Sequence, residues 1–407
     1  MRVAFISYEF PPDTAFGGIA TYVIQMARCL TGWGVDVEVF CGSETRSGSF
    51  IDDGVHVHRV KSDRVGFPTA ILPFFRQQHL ACPFDVIEGP DYFAEANAVS
   101  SSTPDVPYVV KLHTPYYFVK ILNRFPLTPA KIHAQLRLIW YVIKTGDFRA
   151  LIASDRDLFR RERKNLREAD EVVAPSQAIA SAVNRIWNIK RSRISLVPLA
   201  FDPSPELLDI PIETDTRRVT YVGRLELRKG VQDLAAAIPL VLRQQPDVRF
   251  RFVGAIGESG EPEVDMKTHI LQQVPKEFHS YVEFTGGVTP DAIPRYLADT
   301  DICVFPSRWE SFGFVVLEAM AAGRGIVCTG NSGMAELINH GEYGLQVPPR
   351  NPRAIAKSII RLIENPALRF CLGRKARFEG LQRYTMSAIA PLQLRSYERA
   401  IARKNDK

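Results

Sequence analysis

The sequence predicts an α/β protein built as two successive halves, each a parallel sheet covered by helices. Three observations carry that expectation. Val3–Tyr8 is an apolar run, the stretch TYVIQMARCLTGWG behind it is apolar at helical spacing, and VDVEVFCG then alternates as a strand. Strand, helix and strand in that order make a βαβ unit, whose strands run parallel. The segment Pro198–Arg218 is rich in proline and acid and reads as a linker. Beyond it the same rhythm restarts with VTYVG.

In the first half, further strands are expected at DVIEG (Asp85–Gly89), YVVKLH (Tyr108–His113) and EVVAPS (Glu171–Ser176). His113 to Ala169 has no strand-like run and reads as amphipathic helix. In the second half a helix runs through LAAAIPLVLRQQ, and VRFRFVG, YVEFTG, DICVFPS and GIVCTG are strands separated by helical segments. After Tyr384 an amphipathic pattern continues through Pro391. It extends the second domain or packs elsewhere.

Composition narrows the class. At 407 residues, 46% hydrophobic and 24% charged, the chain has apolar material for two cores. None of the six cysteines forms a C-x-x-C pair, which fits reduced structural thiols in a cytoplasmic protein rather than a zinc site. The start, MRVAFISYEF, reads as a first strand, not a signal peptide. No stretch approaches the ~18 apolar residues of a membrane span. The formal net charge is +6, and between Lys120 and Asp170 twelve basic residues face six acidic ones, an excess equal to that of the whole chain. A solvated helical face explains these charges. So does attraction to a phosphorylated acceptor or to anionic lipid, as a peripheral contact at the inner face of the cell membrane. Nucleic acid is not expected, because no binding motif accompanies them.

Chemistry concentrates in PSRWESFGFVVLEAMAAG, Pro306–Gly323. A helix is expected to start near Gly313 or Phe314 and to stop at Gly323. Free N–H groups and the positive dipole end of its first turn suit a phosphate. Glu310 precedes the helix, and Glu318 leans back toward the same end because helical side chains tilt toward the N-terminus. Two carboxylates beside a phosphate make sense if each accepts hydroxyls on either side of a diphosphate, the layout of a nucleotide-sugar. Glu318 as a solvated helix residue is the alternative. In VGRLELRKG, Gly223 ends a strand, and Arg224 and Lys229 follow on a loop where open α/β sheets bind ligands. Two cations there can clamp a diphosphate in place of a metal. Arg228 reads as solvated. In the first half, Gly17 and Gly18 stand between strand and helix and allow close backbone approach, though not as a dinucleotide fingerprint. His113 ends an apolar strand. In GNSGMAELI, glycines again follow a strand, with Glu336 in the next helix.

Together these motifs resemble the retaining glycosyltransferases of family 4, with the GT-B fold: two Rossmann-like domains facing each other across a cleft. The Gly17–Gly18 loop, His113, the G-R-x(4)-K-G run from Gly223 to Gly230 and the E-x(7)-E pair occur in the expected order over nearly the whole chain. The resemblance implies domains at 1–200 and 205–384, with a helix at 385–407 returning to the first domain, the acceptor bound by the first and the donor by the second. It implies that Arg224 and Lys229 bind the diphosphate, Glu310 the sugar hydroxyls and Glu318 the ribose. Phe312 would line the donor site, backbone groups of Gly313 and Phe314 would face the sugar or phosphate, and His113 would sit at the sugar. Two departures stand out: Pro198–Asp202 lacks the usual Asn-Gly, and Ser332–Gly333 replaces a paired glycine.

The expected activity is retaining hexosyl transfer from a nucleotide-sugar, a UDP-sugar by family frequency, to a glycan or lipid-linked glycan in polysaccharide synthesis. No metal or other cofactor is expected. A phosphorylase or epimerase acting on a nucleotide-sugar, and a catalytically silent scaffold, are the alternatives. Aromatics in EGPDYF and HTPYYF are candidate stacking surfaces for the acceptor.

Overall fold

The structure, a computed structural model, describes residues 1–14, 17–123, 156–259 and 263–406. The central portion of the basic segment Lys120–Asp170 therefore lies outside the described residues. The chain divides into two compact units, one drawn from Met1–Phe118, Ala134–Asp202 and Tyr384–Lys407, the other from Val119–His133 and Pro203–Arg383.

The first unit holds β1 (Arg2–Ile6), β2 (Asp36–Ser43), β3 (Gly48–Asp52), β4 (Val55–Lys61), β5 (Val86–Pro90), β6 (Tyr108–Lys111), β7 (Glu171–Ala174) and β8 (Ile194–Leu196). They form one sheet in the order β3-β4-β2-β1-β5-β6-β7-β8. Only β3, an exposed edge strand, pairs antiparallel. The central strands are continuous apolar runs because helices cover both faces of a parallel sheet, and β1 is buried throughout. The chain leaves β1 toward β2 and later returns to build outward from β5. The order thus reverses between β1 and β5, where open sheets leave a crevice at their carboxyl ends.

The last helix, Met386–Asn405, packs on this sheet despite Pro391 inside it. Gln393 Nε2 and the Tyr397 hydroxyl donate to Glu88 Oε2 on β5, each at 2.8 Å. Lys111 Nζ on β6 donates to Gln393 Oε1 at 3.2 Å. Arg399 Nε reaches Glu171 on β7 at 3.0 Å, and Arg403 pairs with the same carboxylate. Burial and the nearby Glu88 leave the Lys111 amine at about 7, with burial the larger influence.

The second unit holds β9 (Arg218–Val222), β10 (Arg249–Val253), β11 (Val282–Gly286), β12 (Ile302–Phe305), β13 (Gly325–Thr329) and β14 (Leu345–Val347). All run parallel in the order β11-β10-β9-β12-β13-β14. Its core joins Val219, Phe250 and Ile302 of the sheet to Leu234 and Ile238 of the helix Val231–Leu242 and to Ile355 and Ile359 of the helix Pro352–Glu364. Here the order reverses between β9 and β12. The strands β3, β4, β8 and β14 are additions to the sequence expectation.

Candidate active site

The loops after β9 and β12 meet at this reversal. After β9, Gly223–Gly230 turns through a short helical turn, Leu227–Lys229, and ends at Gly230 with φ +67°. A Cβ on Gly230 would lie 2.0 Å from the carbonyl oxygen of Pro306, just beyond β12. Both the positive φ and the close approach demand glycine. The approach brings Lys229 to Glu310 although 81 residues separate them, and Lys229 Nζ donates to Glu310 Oε2. Arg228 Nη1 reaches the same oxygen at 3.3 Å, while its Nη2 donates to Glu226 Oε1 at 2.6 Å. Arg224 lies 3.6 Å from Glu226 and keeps 67% of its side chain exposed.

Arg228 corrects the sequence expectation: it is not solvated but 5% exposed, bridging two carboxylates. It and Glu226 are the members of this site that sequence reasoning missed. The signal was the alternation Arg-x-Glu-x-Arg-Lys, in which an acidic residue among cations marks a network. Burial would raise the Glu310 carboxyl, but Lys229 and Arg228 outweigh it and hold it at about 2. Burial lowers the Lys229 amine from its ordinary value, and Glu310 opposes the shift. Within this cluster three cations, Arg224, Arg228 and Lys229, face two carboxylates, Glu226 and Glu310.

The helix expected after Glu310 spans Phe314–Ala321, with Gly313 at its N-cap and Gly323 beyond its end. Phe312 is 2% exposed, so its side chain packs in the core rather than facing a ligand. Glu318 is half-buried on the second turn, and burial pushes its carboxyl up to about 7. It has no ion-pair partner among the described residues. The next loop closes in from β13. A Cβ on Gly333 would fall 1.9 Å from the carbonyl oxygen of Ser311, and the Gly333 N–H donates to Glu310 O at 2.8 Å. The glycine after Ser332 thus fixes the backbone that carries Glu310. Glu336 is exposed on the helix Gly333–Ile338.

In the first unit, Gly17 is the extended N-cap of the helix Gly18–Gly32. His113 lies two residues past β6, 6% exposed, and its N–H donates to Asp91 Oδ1 at 3.0 Å. Its ring meets Tyr22 edge-on at 5.2 Å. Burial, helped by Lys111, pushes the imidazole down to about 3, so it is neutral across the physiological range. No group of three or more metal-ligating side chains occurs among the described residues. None of their helices is long and apolar enough to cross a membrane.

These two loop systems correspond to two family models. Residues 216–365 match the model of glycosyl transferases group 1, and residues 17–200 match a glycosyl transferase 4-like domain. The chain is a group 1 glycosyltransferase. This glycosyltransferase is 26% identical over 429 residues to the D-inositol 3-phosphate glycosyltransferase of Pseudarthrobacter chlorophenolicus, covering 99% of this chain and 96% of that one. Among solved structures it is similar to sucrose-phosphate synthase from Thermosynechococcus elongatus, with a TM-score of 0.74, 22% identity and coverage of 98% and 99%. It is also similar to Anabaena HepE in complex with UDP-glucose, with a TM-score of 0.69, 19% identity and coverage of 98% and 99%. The two parallel-sheet units are those of the GT-B fold.

Proposed function

We propose that this glycosyltransferase moves a hexose, with retention of configuration, from a nucleoside-diphosphate sugar to a glycan or lipid-linked glycan in the assembly of a cell-surface or extracellular polysaccharide. The observation that carries this reading is the meeting of Lys229, Arg228 and Glu310 at the β9/β12 reversal, beside the helix that bears Glu318. Lys229 and Arg224 bind the diphosphate and stabilise the leaving nucleotide. Glu310, kept ionised by its two cations, takes the sugar hydroxyls, and Glu318 takes the ribose. Neutral His113 accepts or donates one hydrogen bond at the sugar without adding charge. The donor is a UDP-sugar, a choice supported by the likeness to HepE, which has been solved with UDP and with UDP-glucose.

Among the described residues no carboxylate is placed as a nucleophile, which favours front-face displacement. The diphosphate departs, an oxocarbenium-like sugar forms, and the acceptor hydroxyl attacks from the same face while the departing phosphate takes its proton. The protein's share is positioning and charge, with one preorganised charge worth about 3–4 kcal/mol. Since Lys229, Arg224 and the helix N-terminus supply the positive charge, the reaction needs no metal. Hydrolysis of UDP-, GDP- and ADP-sugars in EDTA, with and without acceptor, tests all of this. The expected result is turnover of a UDP-sugar in EDTA. A strict need for Mn²⁺ or Mg²⁺, or cleavage of none of the donors, would sink the reading.

A further inference from the structure

At the carboxyl end of the first sheet, Glu9 Oε2, Asp91 Oδ2 and His113 Nε2 are buried without a hydrogen-bond partner among the described residues. Their residues are 8%, 0% and 6% exposed. Native proteins rarely leave buried polar atoms unpaired, so each of these calls for an explanation. They follow β1, β5 and β6, around the place where the strand order reverses. His113 is taken up by the proposed donor chemistry. Glu9 is not.

One oxygen of Glu9 is clamped; the other has no hydrogen-bond partner among the described residues. Arg64 Nη2 donates to Glu9 Oε1 at 2.5 Å, and Arg64 Nη1 donates to Glu95 Oε1 at 2.8 Å. Glu95 Oε2 in turn accepts the Tyr8 N–H at 2.8 Å. The carboxylate is therefore oriented from behind by a buried chain of charge-assisted bonds, while Oε2 faces the backbone at Gly17, where a Cβ would lie 3.2 Å away. The same Arg64 sits over the rings of Tyr92, at 5.0 Å, and Phe93, at 5.8 Å. Phe93 stacks on Tyr116 at 4.4 Å, and Tyr92 meets Tyr116 edge-on at 5.3 Å. All three rings are partly exposed. Phe93 is held at φ +57°, left-handed backbone that a bulky residue seldom adopts, and its N–H donates to the buried Glu162 at 3.0 Å. Backbone strain of this kind persists where the surroundings enforce a position.

We propose that Glu9 and the Tyr92–Phe93–Tyr116 rings form the acceptor subsite, taking a neutral sugar. Glu9 Oε2 accepts a hydrogen bond from an acceptor hydroxyl, and the rings carry the apolar face of the pyranose. The proposal deepens the glycosyl-transfer reading and rests on it. Neutrality follows from charge. Arg64 already pairs with two carboxyl groups, Glu9 and Glu95, which leaves little of its charge for a phosphate. A ligand anion beside Glu9 Oε2 would be repelled. Among the described residues, the other cation over these rings is exposed Arg161, at 5.7 Å from Phe93.

Saturation-transfer NMR and calorimetry with methyl glucoside, maltose and myo-inositol as neutral probes, and glucose 6-phosphate as the charged one, test this directly. At least one neutral probe is expected to bind wild type better than glucose 6-phosphate. Its Kd should rise about tenfold or more in Glu9→Gln and in Tyr116→Leu, since a charged acceptor or a stacking face is lost. UDP affinity, carried by the second unit, controls for folding. Should Glu9→Gln lose that as well, Glu9→Asp serves instead, because it keeps the charge and withdraws the oxygen by one methylene. Unchanged probe affinity in the folded variants overturns the proposal, as does preference for glucose 6-phosphate or no neutral binding at all. Failure of UDP to bind wild type would instead strike the donor reading, with the probe measurements still deciding Glu9.

Discussion

Lys229 pairs with Glu310 and, in the proposed reading, also meets the leaving diphosphate. Lys229→Ala is expected to lower kcat/KM by about a hundredfold or more, the loss of one preorganised charge of about 3–4 kcal/mol. The fold should survive, since Arg228 still neutralises Glu310. Steady-state kinetics check this, and near-normal turnover would remove Lys229 from the leaving group. Glu318 makes a second prediction. Its carboxyl is raised to about 7 by burial, so it is largely protonated below that pH and ionised above it. In the proposed reading Glu318 takes the ribose, whose hydroxyls bond better to the ionised form, which is acceptor-only. Nucleotide affinity should therefore weaken as pH falls from 8 through 7 to 6, and Glu318→Gln should flatten that profile. Calorimetry at those pH values measures it, and an unchanged slope in the variant would assign the titration to another group.

The elements are held in register by close backbone approaches rather than by side chains alone. Gly333→Ala places a methyl 1.9 Å from Ser311 O, and Gly230→Ala adds the strain of φ +67° to a 2.0 Å clash with Pro306 O. Neither carbonyl belongs to a flexible side chain, so each variant should lose about 3 kcal/mol of stability and misplace Glu310 or Lys229. Gly32→Ala is the contrast. It ends the helix Gly18–Gly32 with open space around a new Cβ and without a positive φ. It should be neutral or gain about 0.4–1 kcal/mol by restricting the unfolded chain. Thermal melts of the three variants separate crowding from a general intolerance of glycine replacement.

For the whole molecule, the closing helix Met386–Asn405 is the element whose place in sequence and place in space differ most. Its Gln393 and Tyr397 satisfy buried Glu88, and its arginines neutralise buried Glu171. A chain ending at Tyr384 would leave those carboxylates and Lys111 short of partners. Buried Glu171 would lose the two partly exposed arginines whose charge offsets its desolvation. Such a truncation should loosen the first unit while leaving the second protected, an outcome read by hydrogen exchange on β5, β6 and β9. Uniform protection in both units would mean that the helix contributes little.

Local pattern determined much of this protein. The βα rhythm, the long central strands and the helix at Phe314–Ala321 were legible because hydrophobic period, proline and glycine act within a few residues of themselves. The residue types of the candidate site were legible too, as cations after one strand and carboxylates around one helix. What the sequence could not show is which loops meet. β9 is adjacent to β12, and β1 to β5, only because of strand order, and no local pattern encodes that. That order brings Lys229 and Arg228 onto Glu310, buries Arg228 and strings Glu9, Arg64 and Glu95 together. The short strands β8 and β14 escaped notice for a related reason: at three residues each, they are specified by their neighbours in the sheet more than by their own periodicity.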